Sequence, residues 1–299
     1  MNYKNKIIYK KAFSLVELSI VILIIGILVA GVTQASRLVS QMRLVSIRNI
    51  TQTSPVNTIN DLVLWLDATT ESSFIDSERE DGQRLSEWAD MNMKKTTRIK
   101  LVQSDVNKRP LYIANAINGL PAVKFDEIGL APGAGVRLFV YPSVVSGDFI
   151  PLNQATVFMI LYIDGLSYVN TFQWLGSLGS RFLTHSVYPD NNIYFDLGAA
   201  CCDATNRISV GVNPNNYVKT PRIMTYFKSP TNFSVRSNGV AIGSTSGATG
   251  SNPPGLVADF FLGNGLAGKI GEFIYFNRAL KNDEIQDIEN YLQKKWSIK

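Results

Sequence analysis

Histidine is almost absent from this chain: His185 stands alone among 299 residues. One histidine cannot supply a multi-histidine metal set, and no nucleophile motif surrounds it for a serine–histidine–aspartate relay. Cysteine is nearly as scarce. Cys201 and Cys202 are neighbours, with no Cys-x-x-Cys spacing, which argues against zinc. Consecutive Cα atoms lie only about 3.8 Å apart, below the usual disulfide range. The pair is therefore read as either a strained vicinal disulfide or two thiols. A phosphate loop is missing, because Gly243-Ser244-Thr245-Ser246-Gly247 lacks the lysine. Carboxylate pairs suited to glycan hydrolysis, which sit at alternate positions on one strand, are not found either. Asp126 and Glu127 are adjacent and point to opposite faces, Glu78, Glu80 and Asp81 fall in a polar loop, and Asp283, Glu284, Asp287 and Glu289 fall on a C-terminal helix. On these grounds no catalytic residue is assigned and the chain is expected not to be an enzyme.

Acidic residues are also missing from positions 1–16, where Lys4, Lys6, Lys10 and Lys11 occur. These four lysines account for most of the net charge of +5, and the rest of the chain carries only +1. The basic balance is therefore a property of the leader, and no nucleic-acid partner is expected.

After the lysines comes a long apolar run, Phe13 to Val32, broken by one charge at Glu17. Twenty helical residues span about 30 Å, enough to cross a bilayer core. A carboxylate at the centre of such a helix costs roughly 2.5–3.5 kcal/mol on insertion scales; near its end the cost is smaller. The run is longer than a signal-peptide core, and Thr33-Gln34-Ala35-Ser36-Arg37 makes a poor cleavage site. The lysines keep the N-terminus cytoplasmic, which sends the C-terminal part across the bacterial inner membrane. Leu38, Met42 and Val45 continue a helical stripe past the membrane.

The residues Lys11-Ala12-Phe13-Ser14-Leu15-Val16-Glu17-Leu18 resemble the N-terminal signature of type IV pilin-like prepilins. The resemblance implies that prepilin peptidase cuts between Ala12 and Phe13 and that the new amine is methylated. Ala12 departs from the family's usual glycine. It further implies that Glu17, fifth residue from Phe13, meets the Phe13 amine of a neighbouring pilin or pseudopilin subunit in the assembled fibre. Two buried opposite charges would offset each other's desolvation there.

The expected organisation is a leader at 1–12, a transmembrane and extended helix at 13–50, a polar linker at 51–59 and one domain at 60–299. In that domain short apolar runs alternate with turn residues: 62–66, 122–125, 156–163, 193–195, 223–227, 260–262 and 269–276. Asn238-Gly239 marks a hairpin between 233–236 and 240–242. Many short strands over this length predict an all-β two-sheet sandwich. A C-terminal helix closes the chain, with Asn282 as N-cap, an apolar face of Leu280, Ile285, Ile288, Leu292 and Trp296, and Lys294 and Lys295 favouring the dipole; it is expected on the sandwich edge.

Three segments resemble the concanavalin A-like lectin/glucanase fold in its laminin-G-like form: Leu62–Ala68 with Leu85–Asp90, Arg109-Pro110 with Ile117–Asp126, and Lys269–Leu280 through to Trp296. The resemblance implies a jelly-roll sandwich that binds a glycan or a protein. No cofactor is assigned. Asp190, Asn191, Asn192, Asp196, Asp203 and Asn206 offer oxygen ligands for calcium, with ordinary turn residues as the alternative. Trp65, Trp174 and Trp296 are read as core or strand residues rather than sugar platforms.

Together these readings predict a minor, tip-located type IV pilin or pseudopilin displaying a binding domain, first in the inner membrane and then in a pilus. The rival readings are an uncleaved single-span protein carrying a lectin-like domain and a glycan-active enzyme.

Overall fold

The apolar N-terminal run is helical, and the helix does not stop at the membrane length. In the computed structural model α1 spans Leu15–Gln52. The structure describes residues 14–92, 94–95, 98–126, 138–145, 149, 154–166, 170–176, 181–198, 206–246 and 257–299. The chain divides into two units, Met1–Ser46 and Ile47–Lys299.

The second unit begins inside α1. Residues 51–59, expected as a linker from their polarity, differ from that expectation. They form the end of α1 and a 3-10 turn at Pro55–Asn57. Val56 is fully buried, and Thr51, Ser54 and Ile59 are buried with it. The polar side chains here satisfy local backbone: the Thr58 hydroxyl donates to the Pro55 carbonyl at 2.9 Å and Asn57 Nδ2 to the Gln52 carbonyl at 3.1 Å.

Sixteen strands come next: β1 (Leu62–Asp67), β2 (Glu87–Ala89), β3 (Lys100–Val102), β4 (Leu111–Ile117), β5 (Leu120–Phe125), β6 (Phe139–Val145), β7 (Ala155–Ile163), β8 (Phe172–Gly176), β9 (Arg181–His185), β10 (Asn192–Gly198), β11 (Arg207–Gly211), β12 (Arg222–Lys228), β13 (Asn232–Ser237), β14 (Val240–Ser246), β15 (Val257–Leu262) and β16 (Gly268–Phe276). Among the described residues they form two antiparallel eight-stranded sheets, a sandwich. The first runs β14-β13-β12-β7-β16-β5-β4, with β1 also on β16; the second runs β11-β10-β9-β8-β15-β6-β3-β2. Two hairpins, β4–β5 and β13–β14, turn on Asn118-Gly119 and Asn238-Gly239. All four residues have positive φ, between 47° and 80°, as a two-residue turn of this hand requires.

Between the sheets lies an aromatic core. Trp174 packs against Phe260, Tyr275, Phe182 and Phe172 with ring centroids 4.4–5.8 Å apart. All four tryptophans are at most 1% exposed, so Trp65, Trp174 and Trp296 are core residues and Trp88 joins them.

The second helix, α2 (Asn282–Trp296), covers the outer face of the first sheet rather than its edge. Its contacts fall on central strands: Thr225 of β12 donates to Glu289 at 2.8 Å, and Tyr291 donates to Glu272 of β16 at 2.8 Å. Covering both faces explains why β1 and β7 read as unbroken apolar runs rather than alternating ones. Leu280, Ile285, Ile288, Leu292 and Trp296 are all buried, as the spacing predicts. The cap differs by one residue: Lys281 precedes the first turn, and its backbone N–H donates to Glu284 Oε2 at 2.8 Å. Asn282 is already helical.

Candidate functional site

Two surfaces carry chemistry that the core does not consume. The first is the start of α1. Leu15–Ala35 is a 21-residue apolar stretch, long enough to cross a membrane. Its large side chains are open: Leu15 is 84% exposed and Ile27 64%. Such a surface is stable only when lipid or other helices cover it. Glu17 lies in its first turn and accepts a hydrogen bond from the Ser14 backbone N–H at 2.9 Å, while the Ser14 hydroxyl accepts from the Val16 N–H at 3.3 Å. Ser14 thus caps the helix through the Val16 N–H, and Glu17 reaches back to the Ser14 N–H as the acid of a capping box does. The carboxylate also sits at the positive end of the helix dipole. Sequence reasoning missed this local role, although the Ser-x-x-Glu spacing was its signal. Ala12 and Phe13 lie outside the described residues.

The second surface is the outer face of the second sheet. In β10, Ile193, Phe195 and Leu197 point into the core, so Asn192, Tyr194 and Asp196 point outward. Tyr194 pairs across strands with His185 of β9, and Asp196 pairs with Arg207 of β11. His185, Tyr188 and Tyr194 meet edge to face at 5.4–5.9 Å. The Arg207 guanidinium stacks over the Tyr194 ring, 4.3 Å from its centroid, and is paired through two nitrogens with Asp196. Tyr194 donates its hydroxyl to Asp190. That bond, then burial, raises the Tyr194 phenol above its ordinary value. Burial raises the Asp190 carboxyl, but the Tyr194 hydroxyl and the Asn192 amide lower it more, leaving it below the usual range.

This cluster is a half-exposed aromatic and charged patch with fixed geometry. It can stack an apolar ring face and offer a guanidinium and carboxylates to polar groups. The expected calcium ligands fare differently. Asp190 and Asp196 are engaged by Tyr194 and Arg207, and Asp203 lies outside the described residues, as do Cys201 and Cys202. Among the described residues no group of three histidine, cysteine or acidic side chains is arranged to hold a metal. Tyr188, Tyr194 and Arg207 were missed from sequence; outward alternation along β10 was the available signal.

Comparison with known proteins bears on the helix first. Residues 8–33 match the prokaryotic N-terminal methylation motif. This is a prepilin-type N-terminus. The motif implies processing by prepilin peptidase and assembly with pilin subunits, and with the apolar helix it indicates membrane anchoring. No curated relative matches the chain.

Solved structures bear on the sandwich. The binding domain of Paraclostridial mosquitocidal protein 1 is similar at 12% identity and a TM-score of 0.50, covering 80% of this chain and 53% of that one. A Trypanosoma rangeli sialidase is similar at 15% identity and a TM-score of 0.49, covering 76% of this chain and 32% of that one. Domain 4 of AbnA, a GH43 extracellular arabinanase from Geobacillus stearothermophilus, is similar at 15% identity and a TM-score of 0.45, covering 60% and 81%. This chain thus spans about a third of the sialidase and about half of the toxin binding domain. The likeness is one of lectin-like sandwich fold alone. It does correct one expectation. The chain was expected not to be an enzyme, but its structural neighbours include a sialidase and an arabinanase domain beside binding domains.

Proposed function

We propose that this chain is a prepilin whose mature form is a minor, tip-located subunit of a type IV pilus or pseudopilus, displaying the sandwich as a binding domain for a glycan or protein ligand. The observation that carries the reading is the methylation motif at 8–33 on a helix whose apolar side chains are open. Cleavage between Ala12 and Phe13 leaves a new amine at Phe13, and the exposed Glu17 carboxylate of a neighbouring subunit is its partner. The precursor lies in the inner membrane, N-terminus in the cytoplasm and sandwich in the periplasm. The tip position rests on size: a head of 253 residues, Ile47–Lys299, sits more easily at a filament end than repeated along a tightly packed shaft. The patch of Tyr188, Tyr194 and Arg207 is the ligand surface this reading favours.

The N-terminus of the protein from membranes and sheared filaments tests the assignment. N-methylated Phe13 is expected, and an intact Met1 leader refutes it. Glu17→Ala is expected to remain inserted in the membrane but to be lost from filaments. Wild-type amounts of Glu17→Ala in the filament fraction would remove the pairing role. Immunogold label along the shaft, rather than at filament ends, would overturn the tip position.

A further inference from the structure

Under α2, three charged side chains are sealed from solvent together. Asp67 of β1, Glu272 of β16 and Lys295 of α2 have no exposed side-chain surface. Asp67 and Glu272 are direct cross-strand partners, a placement like charges ordinarily avoid. Lys295 Nζ sits 2.6 Å from Asp67 Oδ2 and 2.8 Å from Glu272 Oε2. Glu272 also accepts from the Trp65 indole at 2.7 Å, the Trp296 indole at 2.8 Å and the Tyr291 hydroxyl at 2.8 Å. The site holds one cation for two carboxylates, walled by two tryptophans and a tyrosine. A buried ion pair is a weak source of stability, because desolvation of both charges offsets their attraction. Joining Lys295 and Asp67 into a neutral amide removes the desolvation cost of those two charges, and Glu272 stays held by the Trp65 and Trp296 indoles and the Tyr291 hydroxyl.

We propose that Lys295 and Asp67 condense into an intramolecular amide, with Glu272 carrying the proton. The arrangement supplies each part. The Lys295 ammonium passes one proton to Asp67 along the 2.6 Å contact, leaving a neutral amine and a neutral carboxylic acid. The amine nitrogen attacks Asp67 Cγ, forming the N–C bond. Asp67 Oδ1 becomes the oxyanion; it already accepts from the Thr69 backbone N–H at 2.9 Å and the Thr69 hydroxyl at 2.8 Å. Glu272 Oε2 takes the second proton from the nitrogen and returns it to the leaving Oδ2 hydroxyl. The Cγ–Oδ2 bond breaks, one water departs and Glu272 is regenerated; nothing is oxidised or reduced. Burial raises the Glu272 carboxyl, opposed by the Lys295 charge, which suits it to hold a proton in transit. Glu272 itself has no such backbone donor and is the carrier rather than the electrophile. The bond ties the first strand of the sandwich to its last helix. This inference does not rest on the filament reading.

The test is a peptide map of the full-length protein, purified in detergent, denatured and digested. The wild type is expected to give a branched peptide joining the Asp67 and Lys295 segments, lighter by one water than their sum. Two separate, unmodified peptides in the wild type would overturn the proposal, and this result needs no variant. Glu272→Gln is expected to give the two peptides unlinked; a full yield of branched peptide from it would remove Glu272 from the proton-carrying role. Lys295→Arg, which keeps the charge, is expected to give no branched peptide, and a retained mass deficit there would assign the bond to other residues.

Discussion

Replacing Lys295 by methionine tests how the space under α2 is held. The substitution keeps the length and apolar stem of the side chain and removes the cation that pairs with both Asp67 and Glu272. Two carboxylates remain, buried and directly opposed across β1 and β16. Removing one partner from a buried ion pair costs about 3–5 kcal/mol. All three side chains are fully buried, so solvent screening does not reduce the figure. The figure, and the pH dependence below, are those of the unlinked ion pair. For a unit of this size each kcal/mol moves the midpoint by about 2–4 °C, so a fall of roughly 6–20 °C is expected. Tryptophan fluorescence suits the assay, since all four tryptophans are buried in the sandwich unit. The pH dependence adds a second check. In the variant, burial still raises the Glu272 carboxyl, and the Lys295 charge that lowered it is gone. The folded variant then binds the Glu272 proton more tightly than the unfolded chain. Its deficit against wild type should be smallest below about pH 4.3, the ordinary glutamate value, and grow as pH rises toward the elevated folded value. Adding Glu272→Gln should recover part of the loss at neutral pH. A loss under about 1 kcal/mol, or a deficit that grows on acidification, would refute the reasoning.

Gly271→Ala should destabilise by about 1–3 kcal/mol, because a Cβ there would stand 2.4 Å from the buried Trp296 ring; denaturant unfolding with an unchanged slope but a lower midpoint is the expected signature. Arg236→Ala should cost roughly 2–3 kcal/mol, since it strips two 2.9 Å hydrogen bonds from Glu289, which is 3% exposed, while Arg236 itself is partly open to solvent. Thermal unfolding reads this loss, and Glu289→Gln with Arg236→Ala should be less damaging than Arg236→Ala alone.

The parts of this fold legible from sequence are those where one periodicity dominates. β7 and β16 are nine-residue strands buried at nearly every position, and in β16 the run is broken at Gly271, where the register with β7 shifts. Asn118-Gly119 and Asn238-Gly239 fix two hairpins through backbone conformation alone. β2 and β3 are three residues long and carry too little pattern to register. In β9 and β11 half the positions face outward, so their apolar runs are broken. Lys295 shows another limit. Its place in the last turn of α2 suggests a solvated dipole partner, yet it lies seven residues after Ile288, on the buried side. Spacing put it on the apolar face, and only the opposing Asp67 and Glu272, distant in sequence, show why a charge is kept there. Glu17 could be read as an assembly residue from its neighbours, but its bond to Ser14 means that it also closes its own helix.

The proposed ligand surface and the point where the chain enters lie on different layers of the sandwich unit. In the first sheet the core takes the inner side, and α2 covers the outer side at β12 and β16. Among the described residues, the open sheet surface is the outer face of the second sheet, where Tyr194 and Arg207 stand. The chain enters this unit on the other layer. Arg48 donates to the Thr69 carbonyl at 3.1 Å and pairs with Glu71 at 2.6 Å, and Thr51 donates to Asp67 at 3.3 Å. Load arriving through the end of α1 therefore meets β1 beside Asp67, the residue that Lys295 holds from α2. A ligand held on the far sheet would pull across the aromatic core between the layers. A link between Asp67 and Lys295 strengthens the sandwich at the strand where such load enters.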